Sequence, residues 1–322
     1  MSATSKKGIR ANPSWTTRFW AVVKYELLWN IRKKKFLGML VVAFALATLS
    51  LVLAPILSNM IGEPLSQNPD YVISSGAGIG GLGLFLFAVV TVMNSISGEF
   101  ESGTIVPLLT KPVSRTMVFL GKLFAAFITL LSAYAVLFIY MTIGGTIVYG
   151  PQNNLHLVPL TLLGSIISTF VWIAIVLTIG SISKSSLIAA LGAFGIFIAL
   201  FISAPIVSLF SDQARVLTYV PGSGAAGYIF GLGQQTAQTP GMSASTGTDN
   251  IAANLITYVL HPSAEVSFFK IGGLSGQQIS WTLLYTEPLS LVLLRSIIVA
   301  ATYILVFLFI AWYAFKRAQI LE

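Results

Sequence analysis

Six long apolar segments constrain the fold of this 322-residue chain more than any other feature. A helix needs roughly 20 apolar residues to cross a hydrocarbon core of ~30 Å. Dividing the sequence at its charged residues leaves six segments near that size: 36–57, 79–97, 123–149, 157–183, 187–210 and 296–315. Uninterrupted apolar runs are typical of helices, whereas barrel strands alternate apolar and polar residues. The sequence therefore predicts an all-α integral membrane protein with six transmembrane helices.

The composition excludes the main soluble alternatives. Only 9% of the residues are charged, against about 25% in a typical soluble domain. The absence of cysteine excludes disulfides and thiolate-bound metals. A net charge of +8 is compatible with nucleic-acid binding, but most of the basic residues lie in the segments between apolar runs. We therefore interpret the charge as a signal of membrane topology and expect no nucleic-acid partner.

The distribution of lysine and arginine orients the helices, because loops on the cytoplasmic side are enriched in them. If both termini are inside, 15 of the 18 basic residues lie inside, and only Arg215, Lys270 and Arg295 lie outside. The first apolar segment is long and lies deep in the chain, so we expect a permanent anchor rather than a cleaved signal. The prediction is a multi-pass protein embedded in the lipid bilayer of the cell membrane, with cytoplasmic N- and C-termini.

This topology divides the chain into regions. Ser14 is a good N-cap for an amphipathic helix at the inner interface, and Glu26 falls on its apolar side, which indicates a contact with protein. The predicted regions are a cytoplasmic N-terminus with this leader helix (1–35), spans one to five (36–210), an inner coupling loop (98–122), an extracytoplasmic region (211–295), the sixth span (296–315) and a cytoplasmic tail (316–322).

The large outer region between spans five and six contains its own signals. Pro221–Thr248 is rich in Gly, Ser, Thr, Gln and Ala, and this composition predicts a flexible or loosely folded segment. Asp249 or Asn250 can cap a short helix over Ile251–Leu260. The apolar run Tyr219–Gly233 is too short to cross the bilayer, and we expect it to lie on the outer leaflet or dip into it.

Catalytic signatures are absent from the sequence. It contains no phosphate-binding GxxxxGK[ST] loop, no HExxH pair and no GxSxG elbow. The predicted spans also contain no ionisable side chain of the kind that ion-coupled carriers use near the midplane. If the chain moves a substrate uphill, we expect the free energy to come from a separate ATPase subunit.

The most distinctive stretch is the inner loop that follows the second span. It reads SGEFESGTIVPLLTKPVSRTMVFLGK over residues 97–122. Gly98 can release the second span, Gly103 can end a short acidic element, and Thr104 and Ser114 can each cap a new helix. Two carboxylates and an aromatic ring would then lie on a small protrusion. From the residues alone, a solvated turn whose acids balance nearby lysines is an equally good interpretation.

This inner loop resembles that of the ABC transporter type-2 permease family, in its six-span subfamily, and the leader KYELLWNIRKKKF over residues 24–36 is similar to the start of the same family. The resemblance implies a half-transporter that pairs with a second permease subunit and with two cytoplasmic P-loop ATPase subunits. Those partners would bind ATP and Mg²⁺, so this chain would hold no cofactor and would not itself be an enzyme.

The same resemblance implies which residues couple the permease to its ATPase. In the family, the leader helix and the inner loop contact the ATPase, and Lys184 in the next inner turn is a candidate for a lesser contact. The candidate coupling residues are Glu26, Glu99, Phe100, Glu101, Ser102, Gly103, Thr104 and Lys184.

Three functions remain open at this level. The first is the permease of an ATP-driven exporter that works by alternating access. The second is a non-transporting membrane module that transmits ATPase strokes to an envelope protein through the outer region. The third is a facilitator or channel that needs no ATPase. The substrate, and whether the two permease subunits are identical, are not determined by the sequence.

Overall fold

The computed structural model describes residues 14–32, 34–62, 69–75, 80–104, 113–230, 242–275 and 278–318. Over these residues the chain is mostly helical, and six segments are long and apolar enough to cross a membrane. The helices are α1 (Trp15–Arg32), α2 (Lys34–Ile61), α3 (Tyr71–Ser75), α4 (Gly81–Val92), α5 (Ser97–Glu101), α6 (Arg115–Tyr149), α7 (Val158–Ser183), α8 (Ser186–Phe210), α9 (Ile251–Leu260) and α10 (Leu289–Arg317). The prediction of six spanning helices is confirmed.

Several spans begin or end beyond the apolar segments of the sequence. The third span, α6, starts at Arg115 because the Ser114 hydroxyl caps it by accepting a hydrogen bond from the Met117 N–H at 3.1 Å. The sixth, α10, starts directly after Pro288. The second span is divided into α4 and α5 by a turn at residues 93–96. The helices thus continue past charged residues, where a boundary drawn from hydropathy alone ends the span.

The fourth span, α7, forms the centre of the bundle. Its Trp172 is fully buried and packs edge-on against Phe85 and Phe197. The Tyr134 and Thr169 hydroxyls, on α6 and α7, are hydrogen bonded at 2.6 Å. The Thr178 hydroxyl donates to its own helix and to the Phe307 carbonyl of α10. Hydroxyls in this bundle therefore satisfy one another and the backbone, as expected for helices packed in lipid.

A four-stranded antiparallel sheet lies between the fifth and sixth spans, in the order β2–β1–β3–β4. Its strands are β1 (Ala226–Phe230), β2 (Met242–Ser245), β3 (Glu265–Ser275) and β4 (Gln278–Pro288). Its core contains buried Ile229, Val266 and Phe268 together with Leu289 at the start of α10. The all-α prediction thus describes the spans, and the region between spans five and six adds a β-structure to them.

The prediction that Pro221–Thr248 is loosely folded is wrong for the part of it that is described; residues 231–241 lie outside the described part of the chain. Its small residues serve close packing rather than flexibility. A side chain on Gly227 would come within 2.7 Å of Val266, and one on Gly247 within 2.1 Å of the Gly222 carbonyl oxygen. Glycine makes room for a side chain at position 227 and for another stretch of backbone at position 247, so a segment with few large side chains still folds.

The short helix predicted over Ile251–Leu260 is confirmed as α9. Asn250 occupies its N-cap position but makes no side-chain capping bond, and a 3₁₀ turn, Thr248–Asn250, precedes it. We call the end of the bundle that carries the sheet the sheet end. The opposite end, which carries α1, α5, residues 183–185 and the end of α10, is called the motif end.

Candidate functional site

At the motif end, α1 lies against the start of α6. The contact depends on Gly121, where an added Cβ would lie 2.7 Å from Cγ1 of Val22. Val23, Glu26 and Asn30 are the buried residues of α1. The opposite face of α1 leaves large side chains exposed, among them Tyr25 and Leu28. The leader helix is therefore held on the bundle by one face only.

A buried ion cluster joins α1, α5 and α6. Lys122 Nζ lies 2.7 Å from Glu26 Oε1 and 2.7 Å from Glu99 Oε1. Lys122 and Glu26 are only 4% and 3% exposed, so this cluster is largely removed from water. Removing one member of a buried ion cluster typically costs about 3–5 kcal/mol, because it leaves a charge without compensation. The cluster therefore fixes the leader helix and the inner loop relative to the third span.

Glu101 connects the inner loop to the fifth span. Its carboxylate accepts hydrogen bonds from the Ser185 hydroxyl at 2.9 Å, the Ser186 N–H at 2.8 Å and the Ser186 hydroxyl. Ser186 is the first residue of α8. A carboxylate at a helix N-terminus satisfies unpaired N–H groups and interacts favourably with the helix dipole. Glu101 therefore acts as a capping group supplied from another helix.

Phe100 and Lys184 meet at the same junction. Lys184 Nζ lies 5.7 Å from the centre of the Phe100 ring, a cation–π distance, and this ring also contacts Phe315 near the end of α10. Lys184 ends α7 with a left-handed backbone, φ 56°, a conformation that is uncommon for residues other than glycine. The turn between the fourth and fifth spans is thereby packed against the inner loop.

Ser102, Gly103 and Thr104 form an exposed turn in the described part of the inner loop. Gly103 has a φ of +67°, which explains the glycine at this position. The Ser102 hydroxyl donates to the Gly98 carbonyl at 2.6 Å and lies 2.9 Å from the Thr104 hydroxyl. The helix that Thr104 was expected to cap would fall at residues 105–112, outside the described part of the chain.

Five of the eight candidate residues fall into two contrasting groups, while Phe100, Glu101 and Lys184 join the loop to neighbouring helices. Ser102, Gly103 and Thr104 lie on the surface, as a docking element requires. Glu26 and Glu99, by contrast, point into the protein and bind Lys122. The expectation that Glu99 presents its carboxylate on a protrusion is therefore wrong. The expectation that Glu26 makes a protein contact is met within the chain itself.

Two residues of the motif were not singled out from the sequence. Lys122 is the centre of the ion cluster. The Arg115 guanidinium donates to the carbonyl oxygens of Lys316 and Ala318, at 2.9 and 2.8 Å, and so caps the C-terminus of α10. Both belong to the quoted stretch PVSRTMVFLGK, but their partners are distant in sequence, so only folding identifies what they bind.

A second polar feature lies toward the sheet end. Asp249 Oδ1 accepts a hydrogen bond from the Trp172 indole N–H at 3.0 Å. Its Oδ2 is inaccessible to solvent and has no hydrogen-bond partner among the described residues, although the residue as a whole is partly exposed. Burial raises the pKa of Asp249 to about 7, against the opposing effect of hydrogen bonds from Trp172 and Thr248. This carboxyl is the one strongly perturbed acid that the described outer region contributes to the bundle.

The chain has six spanning helices. Its leader helix is bound to the bundle through Glu26, and its inner loop contacts four of the spans. This arrangement defines a polytopic membrane protein of the permease class. Residues 20–320 match the model of the ABC-2 family transporter protein family. Because this match covers nearly the whole chain, the protein belongs to that family and is a membrane component of an ABC transporter. A comparison with curated protein sequences gave no match.

Proposed function

We propose that this chain is the permease subunit of an ABC exporter and that it couples ATP hydrolysis by separate cytoplasmic ATPase subunits to substrate translocation by alternating access. The observation that carries the proposal is the junction at the motif end. There, one short element, α5 with its following turn, is bound directly to α6, α8 and α10, and it is joined to α1 through the shared Lys122. The motif end is cytoplasmic in this proposal.

The exposed turn of residues 102–104 is the docking element in the proposal, and the residues behind it transmit its movement. Displacement of the turn would act on the third span through Glu99 and Lys122 and on the fifth span through Glu101. Glu26 would carry the same displacement to the leader helix. An ATPase can shift the helices only if its nucleotide states bind this surface differently.

The partners in the proposal are two P-loop ATPase subunits, which bind ATP and Mg²⁺, and a second permease subunit. In the proposal, ATP binding and catalysis belong to the ATPase subunits and not to this chain. The alternative, a module that transmits ATPase strokes to an envelope protein, draws support from the folded sheet domain, because a rigid domain can transmit force. Both functions require the same ATPase contact.

The docking test uses Ser102→Arg together with Thr104→Arg, which adds bulk and charge to the exposed turn and leaves Gly103 in place. Loss of central interface contacts commonly costs more than ~1.4 kcal/mol, that is, tenfold in affinity. We expect the variant to insert and fold normally but to retain at least tenfold less P-loop ATPase after purification in mild detergent. Ser263→Arg, on the exposed surface at the sheet end, is the matched control. Full ATPase retention by the double variant would refute the docking assignment.

Reconstitution separates the two candidate functions. If the chain is an exporter, vesicles that contain it together with its ATPase accumulate a substrate tracer in an ATP-dependent manner, and the double arginine variant abolishes this. ATP hydrolysis that depends on the permease, without movement of any tracer, would favour the mechanical module. Transport in the absence of any ATPase would contradict both.

A further inference from the structure

Two outer segments, 220–225 and 246–250, insert together between the spanning helices, and we call them the wedge. The Ser168 hydroxyl of α7 donates to the Thr248 carbonyl at 2.7 Å. The Ser296 hydroxyl of α10 donates to the Thr246 carbonyl at 3.1 Å. The wedge is therefore bound to the fourth and sixth spans by hydrogen bonds that those helices supply from their buried faces.

The wedge reaches far into the bundle. Trp172, which binds Asp249, lies about 16 Å along α7 from Ser183 at the motif end, at 1.5 Å per residue. A Cβ on Gly222 would lie 3.9 Å from Leu200, which is about 21 Å along α8 from its first residue. Both residues lie well inside their helices, so the wedge reaches past the sheet-side ends of the fourth and fifth spans.

Among the residues that the structure describes, none near this carboxyl supplies a compensating charge. A Cβ on Gly81, at the start of α4, would lie 2.8 Å from Asp249 Oδ2, so the second span covers that oxygen closely. Helices α4, α7 and α8 contain no titratable side chain. Toward the wedge, α9 contributes Tyr258, and α10 contributes Tyr303 and Arg295, whose guanidinium binds Glu287. Lys316, Arg317 and Tyr313 lie at the far end of α10.

A buried carboxylate without a cation is costly, and such a group usually becomes neutral instead. We propose that Asp249 is a proton-binding site that opens and closes with the wedge. While the wedge is seated, the carboxyl keeps its proton and lies neutral beside Trp172 and Gly81. When the wedge leaves the bundle, the O–H bond breaks, the proton passes to water on the sheet side, and the carboxylate becomes hydrated. This site goes beyond the proposed function, because it requires no ATPase.

The proposal predicts a particular pH dependence. In water an aspartate has a pKa near ~3.9, whereas burial in the seated wedge raises the pKa of Asp249 to about 7. Below pH ~4 both states hold the proton, so pH has no effect. Between pH ~4 and ~7 only the withdrawn state loses it, so withdrawal becomes almost tenfold more favourable per pH unit. Above pH ~7 both states are ionised and the effect levels off. The equilibrium constant for withdrawal of the wedge therefore rises about 50-fold between pH 5 and pH 7.

The experiment uses Ser168→Cys in the full chain, which has no other cysteine. The side chain of Ser168 is fully buried under the wedge, so a maleimide reacts with the thiol only when the wedge is withdrawn. The labelling rate is divided by that of Ser263→Cys, an exposed position, which corrects for thiol ionisation. We expect the ratio to rise about 50-fold from pH 5 to pH 7 and to level off above that.

The control is Asp249→Asn, which is nearly isosteric and cannot ionise. Added to Ser168→Cys, it should keep the labelling ratio low and independent of pH, while Glu287, Arg295 and the tyrosines are unchanged. A ratio that does not depend on pH in the Asp249 protein would overturn the proposal. So would the same pH dependence in the Asp249→Asn protein.

A second measurement does not depend on the cysteine variants. Infrared difference spectra of the unmodified protein and of Asp249→Asn should differ by a protonated-carboxyl C=O band. The band should be present at pH 6, where ordinary carboxyls are ionised, and should disappear as the pH passes 7. Absence of this band from the unmodified protein at pH 6 would refute the proton site even if Ser168→Cys fails to fold.

Discussion

Lys122 shows how one residue determines the arrangement of three helices. Its ammonium group binds carboxylates from α1 and α5 in a region from which water is almost excluded. Such a cluster is not a strong source of stability, because desolvation offsets much of the attraction. Its main effect is on specificity, since only one register of α1 on α6 brings Glu26 to Lys122. We interpret the cluster as a positioning device for the motif end.

Replacing Lys122 by Met should destabilise the protein by about 3–5 kcal/mol, because two buried carboxylates then lack a cation. The measurement is thermal unfolding of the purified protein in detergent, together with proteolysis of α1. Lys24→Met, at an exposed position of the same leader helix, should change neither result.

A triple variant distinguishes lost charge balance from lost packing. Adding Glu26→Gln and Glu99→Gln to Lys122→Met removes all three charges, and most of the stability should return. If the triple variant unfolds as readily as Lys122→Met alone, the cluster does not act through its electrostatics.

At the scale of elements, the inner loop acts as a connector between spans. Within it, Glu101 caps the N-terminus of α8 and Arg115 caps the C-terminus of α10. Gly121 leaves the space in which α1 packs. Each of these groups satisfies backbone atoms or fills space on a different helix. The elements are thus joined end to end at the motif end, and a displacement of the loop cannot leave any one of them unaffected.

Replacing Gly121 by Leu should detach α1 from the bundle, because even the Cβ would lie 2.7 Å from Val22. Valine cannot move away easily, since its χ1 is restricted in a helix. We expect faster proteolysis within residues 15–32 and a lower melting temperature. Gly38→Leu in α2, where a Cβ meets nothing within 4 Å, is the matched control. Val22→Ala should partly rescue the Gly121 variant, and failure of both effects would contradict the packing role.

At the scale of the whole molecule, the two ends of the bundle differ in character. The motif end carries helix caps and an ion cluster, while the sheet end carries an antiparallel sheet and the wedge. Six spans place the two ends on opposite sides of a bilayer. The basic residues between spans favour a cytoplasmic motif end.

Cysteine labelling tests this orientation directly, because the chain contains no cysteine of its own. A membrane-impermeant maleimide should label Ser263→Cys in intact cells and Ser102→Cys only after permeabilisation, since both positions are exposed but lie at opposite ends. Equal labelling of both variants in intact cells would contradict the proposed topology.

The sequence by itself determined the class of the protein. Uninterrupted apolar segments leave a chain no alternative to helices in lipid, since backbone groups there must bond within their own segment. The caps at Ser14 and Ser114 were also predictable, because a capping hydroxyl acts on residues within one turn. The motif from Ser97 to Lys122 indicated the family, and the family match confirmed it.

Only the tertiary structure decided where the charges of that motif point and how the outer region folds. Glu26 and Lys122 are 96 residues apart, with the first and second spans between them, so no local pattern pairs them. The same holds for Asp249 and Trp172, whose contact brings a loop acid between the spanning helices. The sheet escaped prediction because its strands pair across long stretches of sequence, and because Gly227 makes room for the side chains of Val266 and Phe268. A composition rich in small residues indicates flexibility when such contacts are unknown. Long-range packing sets these features, and it depends on the complete fold.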